Sequence, residues 1–472
     1  MTYERKEVSA AELAAQRQYM ASAAEVNAAL PEKPLALVDT YGCQQNEADS
    51  EKLRGMLSEM GYDLTESETK ADIIVINTCA VREHAEMRVL GNVGALTHTK
   101  KNKPGQIIAL CGCMMQQKGM ADKIRRSYRH VDLVFGTHAM WRFPELLWRA
   151  TTERRRVFAT EESCGAVAEG LPVYRTGGVK AWLTVVNGCN NFCSYCIVPY
   201  VRGREHSRRP ELIVEDARRL IADGAKDITL LGQNVNSYGK GLSEPVDFPD
   251  LIRMIDALPG DFLIRFMTSH PKDATEKLFR TMSDCPKAAR HLHLPFQSGS
   301  DRVLSKMNRG YTREKYMSQL QLARRYMPDL VLTSDVIVGF PGETEEDFSD
   351  TLRLVEEARF DALFTFLYSK RSGTPAALLP DTAERTEKQV RFDRLLRLQD
   401  EISGEKHAQY IGRTIRVLVD GLSGDDEYPL TARTNGGRLV RLKGEDTLVG
   451  KFTKAMITGS NTWALYGEAL PN

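Results

Sequence analysis

Short apolar runs alternate with helical stretches along most of the chain. In the first third, four apolar runs are each followed by a helical pattern, and they lie at residues 35–38, 72–76, 107–110 and 131–135. Strands that alternate with helices favour a parallel sheet with helices packed on its faces. We therefore predict an N-terminal parallel α/β domain at residues 34–150, after an Ala- and Glu-rich extension at residues 1–33.

The alternation resumes after a connector at residues 151–178, which is rich in Arg, Glu, Gly and Thr and contains the unassigned Cys164. Six more strand-like runs with helical segments between them lie at residues 182–186, 227–231, 262–267, 291–294, 331–338 and 361–367. Six βα units fit an open, partial (β/α) barrel, whose functional site lies at the carboxyl ends of its strands. We place this α/β barrel domain at residues 179–406.

The last segment, residues 407–470, has a β-rich pattern with glycine-bearing turns. Its strand-like runs lie at residues 414–419, 438–442, 451–457 and 462–466. This pattern predicts a small β-barrel of OB-like character, an architecture often used to bind RNA. The central hairpin carries Arg433, Arg438, Arg441 and Lys443, which we predict to contact RNA, although a solvated hairpin face has the same charge pattern.

Composition adds limits on the class of protein. The 472 residues have room for about three domains, and 64 Lys plus Arg against 63 Asp plus Glu neither support nor exclude a nucleic-acid partner. Nine cysteines outside a small secreted framework indicate a reducing compartment. No apolar run approaches the roughly 20 residues of a membrane helix, and no secretory signal is apparent, so we expect a cytoplasmic protein without membrane association.

Three cysteines, Cys189, Cys193 and Cys196, lie within eight residues, and Gly188 and Pro199 at the ends of this run favour a loop. Three thiolates at this spacing favour a metal site. A structural zinc ion would need a fourth ligand, and no Cys or His pair follows at finger or ribbon spacing. Three cysteines can hold three irons of a 4Fe–4S cluster and leave the fourth iron open to a ligand. We favour an iron–sulfur cluster, with zinc or inert thiols as the alternatives.

A second set of cysteines follows the first three apolar runs, at Cys43, Cys79 and Cys113. Because the carboxyl ends of parallel strands meet at one edge of a sheet, these thiols can converge there, where helix N-termini stabilise thiolates. The repeat therefore predicts a second three-cysteine cluster. The alternative, a small buried hydrophobe, fits Cys111 and Cys285 better.

Small and amide residues follow three later strands, in the segments LLGQNVNSYG, FQSGS and VIVGFPGE. Glycines at strand ends allow a ligand to approach the backbone, and polar groups there can hold an amino acid or a ribose. Each segment alone would suit an ordinary turn. Their position on the same predicted rim as the cysteine loop favours a ligand site.

These motifs give the chain a resemblance to a known family. TYGCQQNEADSE, NTCAVRE, GCMMQ, GCNNFCSYCIVPYVRGREHSR, LLGQNVNSYG, LPFQSGSDRVL, NRGYTREKY and IVGFPGETEEDF occur in an order and spacing that resemble the methylthiotransferases of the radical S-adenosylmethionine (SAM) class, most closely the MiaB family. The resemblance covers nearly the whole chain beyond the N-terminal extension.

The resemblance implies three domains: a methylthiotransferase domain with an auxiliary 4Fe–4S cluster, a radical SAM barrel and a C-terminal TRAM domain that holds RNA. It implies that Cys189, Cys193 and Cys196 bind the SAM-cleaving 4Fe–4S cluster and that the earlier three cysteines bind the auxiliary one. SAM contacts are then expected from Tyr195, Gln233, Asn234, Gln297, Ser298, Gly339 and Glu343.

The implied activity is transfer of a methylthio group to carbon 2 of N(6)-dimethylallyladenosine at position 37, in the anticodon loop of tRNA, with two SAM molecules and sulfur from the auxiliary cluster. A flavodoxin-like or ferredoxin-like electron donor and a monomer are also expected. Sister enzymes that act on threonylcarbamoyladenosine or on a ribosomal protein share both cysteine sets. A non-catalytic iron–sulfur RNA-binding protein is the alternative from a different class.

Overall fold

The computed structural model describes residues 7–80, 83–160, 167–175, 177–381 and 383–470, with only the helical backbone given for 83–85. The chain forms two compact units. The first comprises residues up to 177 together with 187–192 and 196–205, and the second comprises 178–186, 193–195 and the remainder. The predicted cysteine loop therefore supplies Cys189 and Cys196 to the first unit and Cys193 to the second. Cys164 lies outside the described residues.

The first unit is built on a six-stranded parallel sheet with the order β2-β1-β3-β4-β5-β6. Its elements are α1 (Ala10–Ala28), β1 (Leu35–Tyr41), α2 (Gln44–Glu59), β2 (Asp63–Leu64), β3 (Ile73–Thr78), α3 (Glu83–Asn102), β4 (Ile107–Gly112), α4 (Met120–Ser127), β5 (Leu133–Phe135), α5 (Phe143–Thr152), β6 (Val157–Ala159) and α6 (Val198–Val201). Every residue of the central strand β3 is buried, because apolar clusters cover both faces of the sheet.

Helix α1 is part of the first unit's core, although it lies within the extension predicted from the sequence. Ser9 begins the helix with a capping box to Glu12. The Asn27 amide donates to the Met60 carbonyl at 2.8 Å, and Met20 is buried in the sheet's apolar cluster. The sequence pattern missed this packing because α1 has few large apolar residues.

The second unit contains the predicted partial barrel. Its elements are β7 (Lys180–Thr184), β8 (Val186–Asn187), β9 (His206–Ser207), α7 (Pro210–Ala222), β10 (Asp227–Leu231), α8 (Phe248–Asp256), β11 (Leu263–Phe266), α9 (Glu276–Asp284), β12 (His291–His293), α10 (Asp301–Lys306), α11 (Arg313–Tyr326), β13 (Val331–Val338), α12 (Glu345–Ala358), β14 (Ala362–Leu367) and α13 (Arg385–Ala408). The second residue of β8, Asn187, is assigned to the first unit. The six barrel strands form two parallel sheets, β7-β10-β11 and β12-β13-β14. An isolated bridge between Ile264 and Ala288 links the region of β11 to the segment before β12.

The C-terminal strands of the second unit close into a barrel with the order β15-β16-β17-β19-β18. They are β15 (Thr414–Leu422), β16 (Leu430–Thr434), β17 (Leu439–Lys443), β18 (Phe452–Ser460) and β19 (Leu465–Ala469). The sequence pattern missed β16, whose apolar residues are interrupted by polar ones. The predicted fold class, with a parallel α/β domain, a partial barrel and a small β-barrel, is confirmed. Within the described ranges, none of the helices combines the length and the apolar composition of a membrane-spanning segment.

Candidate active site

The first predicted cysteine set lies at one edge of the six-stranded sheet. Cys43 is the N-cap of α2, while Cys79 directly follows β3 and Cys113 directly follows β4. Strands β1, β3 and β4 are adjacent and parallel, so their carboxyl ends share this edge. The Cys43 thiol is hydrogen-bonded to Cys79, and Cys113 interacts electrostatically with Cys43. The structure therefore brings these three thiols together.

A buried polar network holds this edge in place. The Asn46 amide donates to Asn77 Oδ1 at 3.0 Å and to the Thr78 carbonyl at 3.1 Å. Asn77 in turn donates to the Asn46 carbonyl at 2.9 Å and to Ser50 Oγ at 3.0 Å. Cys43 Sγ lies 3.3 Å from Asn46 Oδ1. Because buried amides are costly to leave unpaired, this network fixes α2 against β3 and so fixes the cysteines at their ends.

A buried ion pair borders the same site. Arg202 Nε donates to Cys113 Sγ at 3.1 Å, and Arg202 Nη2 donates to Asp49 Oδ2 at 2.8 Å. The Arg202 and Asp49 side chains are 8% and 9% exposed. Charge-assisted hydrogen bonds at such distances are strong and directional, so Arg202 can hold the Cys113 sulfur in a fixed position.

Arg202 belongs to the segment that follows the second cysteine motif. In that segment Ile197 and Val201 pack with Ala80 and Cys113 in one buried apolar cluster. The arm that follows Cys196 therefore folds against the first cysteine set, within the first unit.

Electrostatics favour the thiolate form of one cysteine at this edge. The hydrogen bond with Cys79 lowers the pKa of the Cys43 thiol to about 5, against the effect of burial and with help from Arg202. Burial raises the pKa of Cys113, which the charge of Arg202 opposes. Burial raises the pKa of Cys111 well above its usual value, which suits a neutral core thiol.

The beginning of the second cysteine motif is a tight loop of the first unit. Gly188 has a φ of 75°, and a Cβ there would lie 2.2 Å from the Arg204 carbonyl oxygen. The Cys189 N–H donates to the Gly203 carbonyl at 3.2 Å. Only glycine fits this close approach, so the loop is fixed next to its first cysteine.

The middle of the motif belongs to the second unit, where a buried arginine meets Cys193. Arg309 Nη1 lies 3.4 Å from Cys193 Sγ, and Arg309 Nη2 donates to the Pro295 carbonyl at 2.7 Å. Arg309 is only 5% exposed. Burial opposes its charge, but Tyr195, Tyr311 and Cys193 outweigh burial and raise the pKa of Arg309.

Tyr195 anchors the same part of the loop to the top of the barrel. It packs, with Ile337 and Tyr368, against a buried cluster that includes Phe340. Arg309 Nη1 also donates to its hydroxyl at 3.4 Å. Arg309 therefore contacts Cys193 directly and holds the loop again at Tyr195, two residues later.

The cysteines of both predicted sets are unbridged. All six are free thiols. In the part of the chain that the structure describes, no three His, Cys, Asp or Glu side chains are arranged to hold a single metal ion. A 4Fe–4S cluster makes a different demand, because each thiolate binds a different iron.

The predicted SAM residues lie where strands of the barrel end. Gln233 and Asn234 follow β10, Gln297 and Ser298 follow β12, and Gly339 follows β13. The Asn234 amide donates to Asp273 at 2.8 Å, and its Oδ1 is buried without a hydrogen-bond partner among the described residues.

Gln297 has a φ of 68°, and its backbone bonds to Asp335 and Ile337 of β13. Left-handed backbone at a non-glycine residue is strained and clusters at functional sites.

Glu343 forms a hydrogen bond within its own loop. Its Oε2 accepts the Gly339 N–H at 2.7 Å and lies 3.8 Å from Arg391 Nη1. Burial raises the pKa of Glu343 to about 7. The carboxyl group therefore fixes the turn after β13.

The predicted RNA-binding residues divide into a buried and an exposed group. Arg438 is 5% exposed and pairs with buried Asp361, and its guanidinium lies 4.9 Å from the centre of the Tyr410 ring. This position leaves Arg438 no surface for a phosphate and corrects the prediction for that residue. Arg433, Arg441 and Lys443 are partly exposed. Of these, Arg433 bonds to Asp420 at 3.2 Å and Lys443 lies 3.2 Å from Glu427.

Asp49, Arg202 and Arg309 were missed by the sequence analysis. Each lies inside a motif segment: Asp49 in TYGCQQNEADSE, Arg202 in VRGREHSR and Arg309 in NRGYTREKY. A charged residue within six positions of a cysteine was an available signal for Asp49 and Arg202. Arg309 had no such signal, because 116 positions separate it from Cys193.

Three separate ranges of the chain match known protein families. Residues 36–136 match the Uncharacterized protein family UPF0004, residues 183–355 match the Radical SAM superfamily, and residues 408–470 match the TRAM domain.

Close relatives are similar over nearly the whole chain. A protein of Acetivibrio thermocellus is 48% identical over 98% of this chain and 97% of its own length. A protein of Alkaliphilus oremlandii is 51% identical over 92% of each chain. Both are named tRNA-2-methylthio-N(6)-dimethylallyladenosine synthase.

Solved structures support the fold. The radical S-adenosylmethionine methyltransferase TsrM from Kitasatospora setae superposes with a TM-score of 0.53 over 73% of this chain and 75% of its own, at 15% identity. At that identity the likeness supports the arrangement of strands and helices alone.

Proposed function

The chain belongs to the tRNA-2-methylthio-N(6)-dimethylallyladenosine synthase family, and from this premise we propose separate tasks for its two cysteine sets. The enzyme adds a methylthio group to carbon 2 of dimethylallyladenosine in the anticodon loop of tRNA. Its cofactors are two 4Fe–4S clusters and SAM. Cys43, Cys79 and Cys113 hold the auxiliary cluster, and Cys189, Cys193 and Cys196 hold the SAM-binding cluster.

The reaction needs these cofactors because carbon 2 of adenine carries an unactivated C–H bond. No side-chain base of ordinary pKa removes that hydrogen as a proton. When bound, the clusters supply the electron that cleaves SAM and the sulfur that is transferred. The protein contributes the thiolates, their positions and the exclusion of water.

Two buried arginines of the chain have positioning roles in this proposal. Arg202, at 3.1 Å from Cys113, orients one ligand of the auxiliary set. Arg309, at 3.4 Å from Cys193, does the same for the SAM-binding set. The observation that carries this proposal is that each cysteine set has its own buried cationic donor.

The remaining partners follow from this chemistry. Cleavage of SAM consumes an electron, so a small flavodoxin-like or ferredoxin-like protein is the proposed donor. We place the enzyme in the cytoplasm, where its tRNA substrate is found, and propose that it works as a monomer.

The test combines nucleoside analysis with two triple variants. Anaerobically reconstituted enzyme should hold about eight irons and convert dimethylallyladenosine in tRNA to its 2-methylthio form. The triple change of Cys43, Cys79 and Cys113 to Ala should leave about four irons, continued release of 5'-deoxyadenosine and no methylthio product. The matched change of Cys189, Cys193 and Cys196 to Ala should also leave about four irons but abolish SAM cleavage.

Methylthio product from the first triple variant would contradict the proposal. Zinc in place of iron, or product only on threonylcarbamoyladenosine, would contradict it as well.

For the RNA-binding surface we propose Arg433, Arg441 and Lys443 of the C-terminal barrel. Phosphate contacts dominate affinity for nucleic acid and depend on salt. Changing the three residues to Ala in the full-length enzyme should therefore weaken tRNA binding and flatten its salt dependence. SAM cleavage without RNA should stay unchanged. Arg280→Ala, which removes an exposed charge from α9, is the control, and an unchanged affinity in the triple variant would refute the assignment.

A further inference from the structure

Two exposed phenylalanines lie on the last strand of the partial barrel. Phe364 and Phe366 are 47% and 36% exposed. They are the only large apolar side chains with such exposure on the described parallel strands, β1 to β7 and β10 to β14. Exposed apolar patches mark sites of interaction.

The strand register shows which face they occupy. Strand β14 alternates, and Leu363 and Leu367 pack against the main core of the second unit. Phe364 and Phe366 therefore lie on the opposite face, because successive side chains of a strand point to opposite sides. Phe364 is paired with Asp335 and Phe366 with Ile337 of β13.

Polar groups share this face with the two phenylalanines. The His293 ring lies 5.7 Å from the Phe364 ring in an edge-to-face arrangement. His293 Nε2 lies 3.5 Å from Asp335 Oδ1, and its Nδ1 lies 2.9 Å from Thr333 Oγ1. The Asp335 side chain is 28% exposed, so its carboxylate is available to a ligand. The face thus combines an aromatic wall with a few fixed polar groups, which is typical of small-molecule sites.

This face continues to the cysteine loop. Ile337, the neighbour of Phe366, packs against the same buried cluster as Tyr195, and Tyr195 lies two residues after Cys193. The wall therefore runs from the barrel interior to the rim that holds the middle of the cysteine loop, around Tyr195.

We propose that Phe364 and Phe366 form the subsite for the dimethylallyl group of the substrate base, an inference that rests on the proposed function. The exocyclic bonds at carbon 2 and carbon 6 of adenine flank N1 and diverge, so a base with carbon 2 at the rim can extend its five-carbon group along the wall. The group is apolar and branched, so its transfer from water to contact with aromatic faces is favourable. SAM, with its charged amino-acid part, fits this wall less well.

Asp335 adds a repulsive element to the same subsite. Threonylcarbamoyladenosine carries a carboxylate at the position of the dimethylallyl group. That carboxylate would be desolvated between aromatic rings and placed near the Asp335 carboxylate, which disfavours it. The wall therefore separates the two substrates by attraction of one and repulsion of the other.

The test measures discrimination with holoenzyme and three anticodon stem-loop RNAs, which carry dimethylallyladenine, plain adenine or threonylcarbamoyladenine. Phe364→Ala and Phe366→Ala should each lower the preference for dimethylallyl over plain RNA, as a ratio of Kd values, by about tenfold. Phe366→Leu keeps an apolar group and should retain most of the preference. Asp335→Asn should improve binding of the threonylcarbamoyl RNA relative to wild type. Val390→Ala, an exposed apolar change on α13, is the control.

Equal weakening for all three RNAs, or a higher KM for SAM with the preference for dimethylallyl intact, would overturn the subsite. Loss of iron in both Ala and Leu variants of Phe366 would overturn it too, because the residue would then serve the fold. Failure of the proposed function is a separate result: the wild-type enzyme would make no methylthio product, while the binding ratios could still be measured.

Discussion

Two buried arginines each contact a cysteine sulfur, but the charge around them differs. Arg202 lies 3.1 Å from Cys113 and is paired with Asp49 at 2.8 Å. Arg309 lies 3.4 Å from Cys193, and its other partners are a backbone carbonyl and tyrosine hydroxyls. Within the described residues no carboxylate pairs with Arg309. The first site is internally neutralised, whereas the second keeps a positive charge.

The difference fits the two tasks proposed for the cysteine sets. A positive charge in a poorly solvated site stabilises the more negative, reduced form of any redox group beside it. Such a charge suits the site that receives an electron. At the auxiliary site the Asp49 carboxylate cancels the charge of Arg202, so the arginine orients Cys113 without withdrawing much electron density from sulfur.

Arg202→Met should have the largest effect. It leaves the Asp49 carboxylate and the Cys113 sulfur buried together without a cation, and breaking a buried pair costs about 3–5 kcal/mol. We expect about half of the iron to be lost and methylthio product to disappear, while SAM cleavage continues. Iron analysis and release of 5'-deoxyadenosine measure the two outcomes.

Two further variants sharpen this prediction. Arg202→Lys should recover part of the iron, because one ammonium group can neutralise Asp49 but cannot also reproduce the planar contact to sulfur. Arg126→Met changes an exposed arginine of α4 in the same unit and should keep all of the iron. Full iron and full activity in Arg202→Met would show that the pair is dispensable.

Arg309→Met should have an intermediate effect, at the SAM-binding cysteine set. The cluster held by Cys189, Cys193 and Cys196 should remain, because the removal of Arg309 leaves no buried carboxylate without its partner. Its reduction potential should become more negative and SAM cleavage should slow, since the nearby positive charge is gone. The potential is best measured with Cys43, Cys79 and Cys113 changed to Ala, so that one cluster gives the signal. An unchanged potential would refute the electrostatic contrast.

The meeting of the first three cysteines at one edge of the sheet could be predicted because local sequence fixes their places. Cys43, Cys79 and Cys113 each follow a buried strand of one sheet, and a repeat of strand and helix sends such positions to a common edge. The barrel and the small C-terminal domain were predictable for the same reason, since hydrophobic periodicity is local.

Partners from distant segments could not be predicted. Arg438 belongs to a basic hairpin in the sequence, and only tertiary packing against Asp361 and Tyr410 removes it from the surface. Arg309 reaches Cys193 across 116 positions. A charge in a sequence does not show whether it will be solvated, paired or buried, because that depends on which segments meet.

Glu343 extends the comparison to a third buried charge, and it should give the smallest effect. Its arginine partner, Arg391, lies 3.8 Å away, further than Asp49 lies from Arg202, and burial prevails by raising the pKa of Glu343 to about 7. The folded state therefore holds a proton that the unfolded state releases near its ordinary pKa of about 4.5. Stability from this group is present below that value and is lost as the pH rises through 7.

Glu343→Gln should remove this loss, because the amide stays neutral at every pH and still accepts the Gly339 N–H. The unfolding temperature of the variant should match that of the wild type near pH 5 and exceed it by several degrees near pH 8. Glu145→Gln is the control: the hydrogen bond from Arg142 outweighs burial and lowers the pKa of Glu145, so its difference from wild type should stay constant between these pH values. Parallel profiles for wild type and Glu343→Gln would mean that Arg391 neutralises Glu343 as fully as Arg202 neutralises Asp49, and distance would then not decide which buried carboxylates stay charged.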